Sequence, residues 1–596
     1  MFQTFDVTAK PEQGPPRLAQ LRDVMAREGL DAYLVPRADV HQGEYVAPCD
    51  ERLAWLTGFT GSAGFCAVLT DMAGVFIDGR YRTQVKAQVA DVYTPVPWPD
   101  VRLGPWLRKQ LAASAIVGFD PWVYTAGQLK ELQKALEGSG ISLRATDNLV
   151  DQIWQDRPDP PDAPSRVHPI EFAGESHDDK RARLAETLQK AGHKAAVLTL
   201  PDSVMWLLNI RGSDIPRNPI AQCFAILHVD ARVDLFIAPG KVADLDDHLG
   251  KAVKVAPMDR FATALETLEG PVRVDMGSVP EAAYRLLGDK AVAGDEPCAM
   301  PKACKNEVEV AGMVEAHLRD AAAMVELLCW LDAQTPGSLT ETQVVTQLET
   351  CRRMDNALQD ISFETIAGTG PNGAIMHYRV TEETDSVLED GHLLVLDSGG
   401  QYLDGTTDVT RTIAIGAPGD QERHAFTRVL QGMIGMSRLR WPVGMAGRDI
   451  ECIGRVPLWL AGQDFNHGLG HGVGAFLSVH EGPQRLSRVS HVTLQPGMIL
   501  SNEPGYYREG AFGIRIENLL VVREAAALSD GDAERSMLDW LTLTFVPIDR
   551  RLIVADMLSA DERAWLNAYH QDVANKVSHR VGTAAQAWLT AATRPI

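Results

Sequence analysis

Five residues carry the chemistry most readily read from this sequence: Asp397, Asp408, His471, Glu503 and Glu517. They lie in the segments LVLDSGGQYLDGTTDVTRT, NHGLGHGVG, SNEPGYY and GIRIENL. Four carboxylates and one imidazole make a ligand set for two divalent cations. Hard, oxygen-preferring ions such as Mn2+ suit the carboxylates, and borderline ions such as Zn2+ or Co2+ also accept the imidazole. Two adjacent cations turn water into a nucleophile at neutral pH, so the set points to hydrolysis.

The elements that must position these groups can be read around them. HLLVLDSGG is an apolar strand ending at Asp397, and GQYLDGTTDVTRTIAIG predicts a turn and a second strand carrying Asp408. If the two strands pair, both carboxylates converge on one point. Asp404, before a glycine, reads as a turn former. His467, His471 and His480 sit in a stretch with Gly468, Gly470, Gly472 and Gly474, where glycine lets backbone approach a ligand closely. Glu503 ends an apolar strand before a Pro-Gly turn. Glu517 falls within a strand in which Ile514, Ile516 and Asn518 alternate with Arg515, Glu517 and Leu519. A carboxylate buried there needs a metal or an ion partner. Arg515, on the same strand face, is the alternative partner and could also orient the site.

The rest of the chain sets the frame. With 596 residues it exceeds one hydrophobic core, so several domains are expected. Apolar residues are 45% and charged residues 23%, ordinary for globular protein. A net charge of −22 excludes nucleic acid and anionic membrane surfaces as natural partners. The 8 cysteines form no CxxC, so reduced thiols and a cytoplasmic location are expected. MFQTFDVTAKPEQGPP has no basic start and no apolar run, so no signal peptide is visible. No apolar run of about 18 residues predicts a transmembrane helix.

LAQLRDVMAREGL predicts an amphipathic helix ending at Gly29, DAYLVP a buried strand, and FCAVLTDMAGVFIDG two strands joined by a turn at 71–74, with a helix from about Arg80. A Pro-rich linker follows from Asp156 to Pro164. KRARLAETLQKAGHKAAVLTLPDSVMWLLNIRG and CFAILHVDARVDLFI then repeat the same order, including a W-L pair at Trp55 and Trp206. This predicts an internal duplication of one α/β fold. KNEVEVAGMVEAHLRDAAAMVELLCWLD predicts a long helix opening a third unit. Beyond about residue 535, DWLTLTFVPIDRRLIVADML reads as strands and ADERAWLNAYHQDVANKVSHRV as a helix, with packing or subunit contact as its default role.

In YLDGTTDVTRT, GHGVGAFLSVHEGP and SNEPGYYREGAFGIRIENL the sequence resembles the pita-bread metallopeptidases, which include methionine aminopeptidase, prolidase and aminopeptidase P. It is most similar to the three-domain, cytosolic-type Xaa-Pro aminopeptidases. The resemblance implies a multi-domain α/β chain: creatinase-like domains at 1–160 and 161–303, a pita-bread (α+β) catalytic domain at 304–534 and a short C-terminal extension at 535–596. It implies two divalent ions, usually Mn2+, with a hydroxide bridging them. Asp397 would chelate one metal, Asp408 and Glu517 would bridge both, and His471 and Glu503 would complete the ligand set of the second metal. Glu503 would also be general base and proton shuttle. His377 would lie near the substrate. His467 and His480 would contact the peptide and stabilise the oxyanion, with Arg515 and Tyr507 as helpers. Phe363, Val479 and His467 would form the proline-ring pocket. The implied substrates are peptides with proline second, and the implied assembly is a homodimer. Two alternatives stand beside this: a prolidase acting on Xaa-Pro dipeptides, which generally has one N-terminal domain, and a pita-bread binding protein without metal.

Overall fold

Two six-stranded sheets of identical topology underlie the repeated pattern of the N-terminal half. The structure, a computed structural model, describes residues 1–532 and 534–596. In the first sheet Ala32–Pro36 is central, antiparallel to Phe65–Leu69 and parallel to Ile116–Phe119. Ala73–Ile77 and Thr94–Pro97 extend one side and Ser142–Ala145 the other. In the second sheet Ala195–Leu198 takes the central place between Phe224–His228 and Val272–Val274, with Val233–Phe236, Val253–Ala256 and Ala291–Ala293 outside them. Every strand pair also keeps its parallel or antiparallel sense. Shared order and shared sense together are what duplication produces.

The local reasons are plain in the first copy. The helix Gly14–Arg27 buries Leu18, Leu21, Val24 and Met25 on one stripe. Gly29 then takes a φ of +62°, which glycine adopts without steric cost. The helix expected from about Arg80 is shorter than the pattern suggested. Asp78 caps a 3₁₀ turn at Gly79–Tyr81, and only Gln84–Gln88 is α-helical. The Pro-rich segment at 156–164 contains neither helix nor strand, as residues without an N–H require.

Both sheets belong to one compact unit, Thr8–Ile170 with Glu175–Ala299. Met1–Val7, Glu171–Gly174 and Met300–Ile596 form the other. In this second unit the long helix Glu307–Asp332 begins with Asn306 and Glu309 exchanging backbone caps. It packs against Glu341–Arg352 and Thr583–Ala592. A three-stranded antiparallel sheet sets Leu393–Ser398 between Ile366–Thr369 and Val409–Ala414. A six-stranded sheet runs Trp441–Pro442, Met537–Thr542, Asn518–Glu524, Ile499–Asn502, Gly470–Gly472, Glu481–Leu486. A hairpin, Gly505–Arg508 with Phe512–Arg515, lies between Ile499–Asn502 and Asn518–Glu524 in sequence. One apolar core joins these sheets to the helix Asp420–Ser437 and to Leu566, Val573 and Leu589 of the tail.

The tail differs from its pattern. Only Met537–Thr542 is a strand, and 543–558 holds just two 3₁₀ turns, Arg550–Leu552 and Ala555–Met557. Its backbone groups bond elsewhere. The fully buried Arg411 donates to the carbonyls of Val546 and Pro547, and Tyr569 also donates to Val546 O. The N–H of Ile548 donates to Nε2 of His570, on the helix Ala560–Val577. Burial, with Arg411 and Arg550 nearby, lowers His570 to a pKa of about 4. A folded value below the unfolded one stabilises above the unfolded pKa. The ring therefore contributes about 3 kcal/mol near neutrality, lost as pH falls from about 6.5 toward 4. His570→Gln keeps an acceptor for Ile548 but cannot titrate. Its melting temperature should fall less steeply than wild type over that window, and parallel curves would remove His570 from the acid transition.

Candidate metal centre

Asp397 and Thr410 face each other across the antiparallel pair Leu393–Ser398 and Val409–Ala414, and Asp408 directly precedes the second of these strands. The turn predicted around Asp404 is present, and Arg319 pairs with that carboxylate at 3.0 Å. His471 is the middle residue of Gly470–Gly472. The register with Glu481–Leu486 shifts between His471 and Gly472. Such a bulge re-aims a side chain, here an imidazole. The glycines on either side are required by space. A Cβ on Gly470 would lie 1.8 Å from Ser501 O, and one on Gly472 2.2 Å from Glu481 O.

Glu503 follows Ile499–Asn502, and the expected Pro-Gly turn after it is instead the opening of the strand Gly505–Arg508. Glu517 does not sit inside a strand. It occupies the break between Phe512–Arg515 and Asn518–Glu524, where its N–H donates to Thr410 O at 3.1 Å. The alternation read from the sequence therefore ends at Arg515. Beyond it the chain changes partner from the hairpin to the six-stranded sheet.

These placements bring the groups together. Ligand atoms of Asp408, His471 and Glu517 lie within 4.8 Å of one another. His471 Nε2 is 3.4 Å from Asp408 Oδ2 and 3.5 Å from Glu503 Oε1. His471 Nδ1 is 3.0 Å from Gly472 O, a carbonyl that only accepts, so Nδ1 carries the proton and Nε2 offers its lone pair. Asp397 Oδ2 accepts from Arg515 Nη2 at 2.6 Å. Arg515 thus pairs with Asp397, whereas Glu517 Oε2 accepts from Thr410 Oγ1 at 2.9 Å.

Asp397 Oδ1, Asp408 Oδ1 and Glu517 Oε1 are buried oxygens with no hydrogen-bond partner. Burial, then the charges of Asp397 and Glu503, push Asp408 well above the carboxylate range. Burial, then Asp408, Glu503 and Asp397, do the same to Glu517. Burial also raises Glu503. Unsatisfied oxygens of one sign, clustered around an imidazole lone pair, are the donor set of hard divalent cations. The residues present therefore fit two metal ions.

A second chain of contacts leads away from the carboxylates. Arg515 Nη1 donates to Tyr507 Oη at 2.6 Å, and that hydroxyl lies 3.0 Å from His467 Nε2. His467 Nδ1 donates to Gly468 O at 2.7 Å, so the hydroxyl donates to Nε2. Burial, against the pull of Arg515, raises the Tyr507 phenol to about 12. The His480 ring stands edge-on to His471 with centroids 4.3 Å apart. Val479 is buried in the same loop, which Gln401 holds by donating to Leu477 O at 2.8 Å. Phe363 is half-buried in a bend after Asp360–Ile361. His377 is half-buried in a turn following the 3₁₀ segment Gly370–Ala374.

Three supporting residues were not singled out from the sequence. Thr410 donates to Glu517 and accepts from Arg515 Nε at 3.3 Å. Ser501 donates to Glu503 Oε1 at 3.0 Å and accepts from the His471 N–H at 2.9 Å. Glu481, next to His480, is buried and paired with Lys302 at 3.1 Å and with Lys305. Thr410 and Ser501 lie two residues from Asp408 and Glu503, the period of a strand face, and that spacing was the available signal. Lys302 and Lys305 gave none, being distant in sequence.

The family model for metallopeptidase family M24 matches residues 311–524. Two creatinase/prolidase N-terminal domain models match 17–153 and 156–309, and the C-terminal region of peptidase M24 matches 536–596. A protein of Aspergillus fumigatus named "Probable Xaa-Pro aminopeptidase P" is 38% identical over 97% of this chain and 92% of its own length. "Aminopeptidase P2" of Arabidopsis thaliana is 37% identical over 97% and 88%. The crystal structure of X-prolyl aminopeptidase from Caenorhabditis elegans, described as a cytosolic enzyme with a di-nuclear active site, superposes with a TM-score of 0.93 at 33% identity, covering 98% of this chain and 100% of that one. The prolidase of Pyrococcus horikoshii shares the fold over 62% of this chain and 99% of its own, with a TM-score of 0.50 and 23% identity. No helix among the described residues is long and apolar enough to cross a membrane.

Proposed function

The chain belongs to metallopeptidase family M24, with two creatinase N-terminal domains before its catalytic domain, and on that premise we propose that it is an Xaa-Pro aminopeptidase. It removes the first residue from peptides whose second residue is proline. The observation that carries this is full-length likeness to an X-prolyl aminopeptidase in a chain whose orphaned carboxylate oxygens surround an imidazole lone pair. A prolidase is disfavoured, because the prolidase structure spans 62% of this chain. A metal-free binding protein is disfavoured by all five ligand-type residues being present.

Asp397, Asp408, His471, Glu503 and Glu517 would hold two divalent ions, with Mn2+ the family's usual choice. Once bound, such ions lower the pKa of a water and polarise the scissile carbonyl. Glu503 accepts a proton from the attacking water and returns it to the departing proline nitrogen, which cannot leave as an anion. Ser501 fixes the Glu503 carboxylate for that transfer. Arg515 fixes Asp397 and, through Tyr507, the tautomer of His467. His480 donates to the developing oxyanion, while His467 contacts the peptide and His377 orients it. Phe363, Val479 and His467 enclose the proline ring. The imide bond has no N–H, so a site without an acceptor there does not penalise it.

The division at 160, 303 and 534, a cytoplasmic location and a homodimer belong to the same reading. The family-model spans support the division, and the description of the C. elegans enzyme supports the location. The test is hydrolysis of Arg-Pro-Pro and Ala-Pro by metal-loaded protein. Release of arginine from the tripeptide is expected, and cleavage of the dipeptide alone would make the protein a prolidase.

A further inference from the structure

Glu341 is a fully buried carboxylate with no part in the chemistry above. It is the first residue of the helix Glu341–Arg352 and is 0% exposed. Donors from four residues point at its two oxygens. Thr369 N–H donates at 2.7 Å, the Tyr378 hydroxyl at 2.8 Å, the Asn372 amide at 3.0 and 3.1 Å, and Ser386 N–H at 3.2 Å. The N–H of Glu341 donates in turn to Ser386 O at 3.1 Å. Burial pushes its carboxyl up to about 7, while these donors pull it down.

All four partners belong to one excursion of the chain, residues 369–386. It leaves the strand Ile366–Thr369, passes through the 3₁₀ segment Gly370–Ala374, and contains no helix or strand from 375 to 386. Its 3₁₀ segment packs against Phe512–Arg515 and Leu393–Ser398, the strands that carry Arg515 and Asp397. His377 lies inside it, between two anchored residues, Asn372 and Tyr378. Fixing a segment without a backbone ladder costs conformational entropy at every residue. Arg379, on Glu364, and Asp385, on Thr342, anchor its far part, and four of the contacts that offset this cost meet at the Glu341 side chain.

The chemistry of the hub is specific. Four donor groups and no acceptor face the side chain, so only an anion answers all of them. The first turn of a helix also favours a negative charge. A glutamine there would set its own N–H groups against those donors, and an alanine would leave them unpaired.

We propose that Glu341 is a positioning residue for the peptidase reaction: it fixes the 369–386 segment so that His377 is held toward the substrate. This rests on the reading of His377 as a substrate-side histidine. It adds a residue remote in sequence from the metal ligands to the machinery.

The test uses the full chain loaded with Mn2+ at pH 8, with Glu341→Gln, His377→Ala and the double variant. Three quantities are read: kcat and KM on Arg-Pro-Pro, metal per chain, and hydrogen exchange of the amides in 369–386. Glu341→Gln should speed exchange within that segment, leave metal content unchanged and lower kcat/KM by about 10- to 100-fold. In the His377→Ala background it should cost less than about 2-fold more, because both changes remove one function. Wild-type exchange in the segment overturns the proposal, as does a fully additive loss in the double variant. If His377→Ala alone is inert, the route through His377 is overturned while the aminopeptidase reading stands. If the wild-type protein cleaves no Xaa-Pro peptide, that reading fails, and the exchange measurement still decides whether Glu341 anchors the segment.

Discussion

Glu503→Gln should lower kcat by about 10³-fold or more while leaving the fold intact. The two side chains are nearly isosteric, and the oxygen of glutamine still accepts from Ser501, which holds Glu503 Oε1 at 3.0 Å. What is lost is a basic oxygen. Glu503 is the most open of the carboxylates near His471, with 17% of its side chain exposed against 4% for Asp408. It can therefore meet both a buried cation and a substrate. Proton transfer by a positioned group contributes typically about 10²–10⁴-fold, and the upper half of that range applies when one group serves both attack and departure. The check is a kcat measurement alongside metal analysis and a melting curve. Wild-type turnover would remove Glu503 as base. An inactive variant that had also lost its metal would reassign it to holding the ion.

How much of this was legible in the sequence depends on how local each signal was. The N-terminal sheets were readable because each strand announces itself by a short apolar run, and because the pattern occurs twice. Asp397 and Glu503 were read at strand ends, where apolar runs stop at a carboxylate, and lie at or just past such ends, whereas Asp408 was read on a strand and lies just before one. Glu517 was read inside a strand because Phe512, Ile514 and Ile516 alternate with Gly513, Arg515 and Glu517. The break at Ile516–Glu517 comes from a change of neighbouring strand, which alternation cannot register. Arg515 was offered as the alternative partner of its own strand neighbour, Glu517, by the same logic. In the fold, Asp397, 118 residues away, is the partner. The tail beyond Thr542 misled for a related reason. Its apolar residues are buried, but its carbonyls are satisfied by Arg411 and not by another strand. Glu341 left no trace, since a glutamate after a helix-capping threonine is ordinary.

Glu517→Gln should abolish activity and, in the metal-free protein, raise stability. The side chain cannot swing away from its neighbours. Its N–H is bonded to Thr410 O, its carbonyl accepts from Arg411 Nη1 at 2.6 Å, and Oε2 accepts from Thr410 Oγ1. Only 1% of the residue is exposed. Burial first, and then the charges of Asp408, Glu503 and Asp397, raise its folded pKa above the ordinary 4.5. A folded value above the unfolded one stabilises fully below about pH 4.5 and is lost as pH rises through the folded value. Chelated wild-type protein therefore carries a penalty at pH 8 that the glutamine variant lacks. The variant should melt higher than wild type there, and the gap should close toward pH 5. Metal reverses the order. Cations bind only the folded site, so wild type gains stability with metal concentration and the variant gains much less. Turnover of Arg-Pro-Pro should fall by about 10³-fold or more, because the same carboxylate that strains the empty site completes the loaded one. A chelated variant less stable than chelated wild type at pH 8 would mean that Glu517 is satisfied without a cation, and its place among the metal ligands would fall.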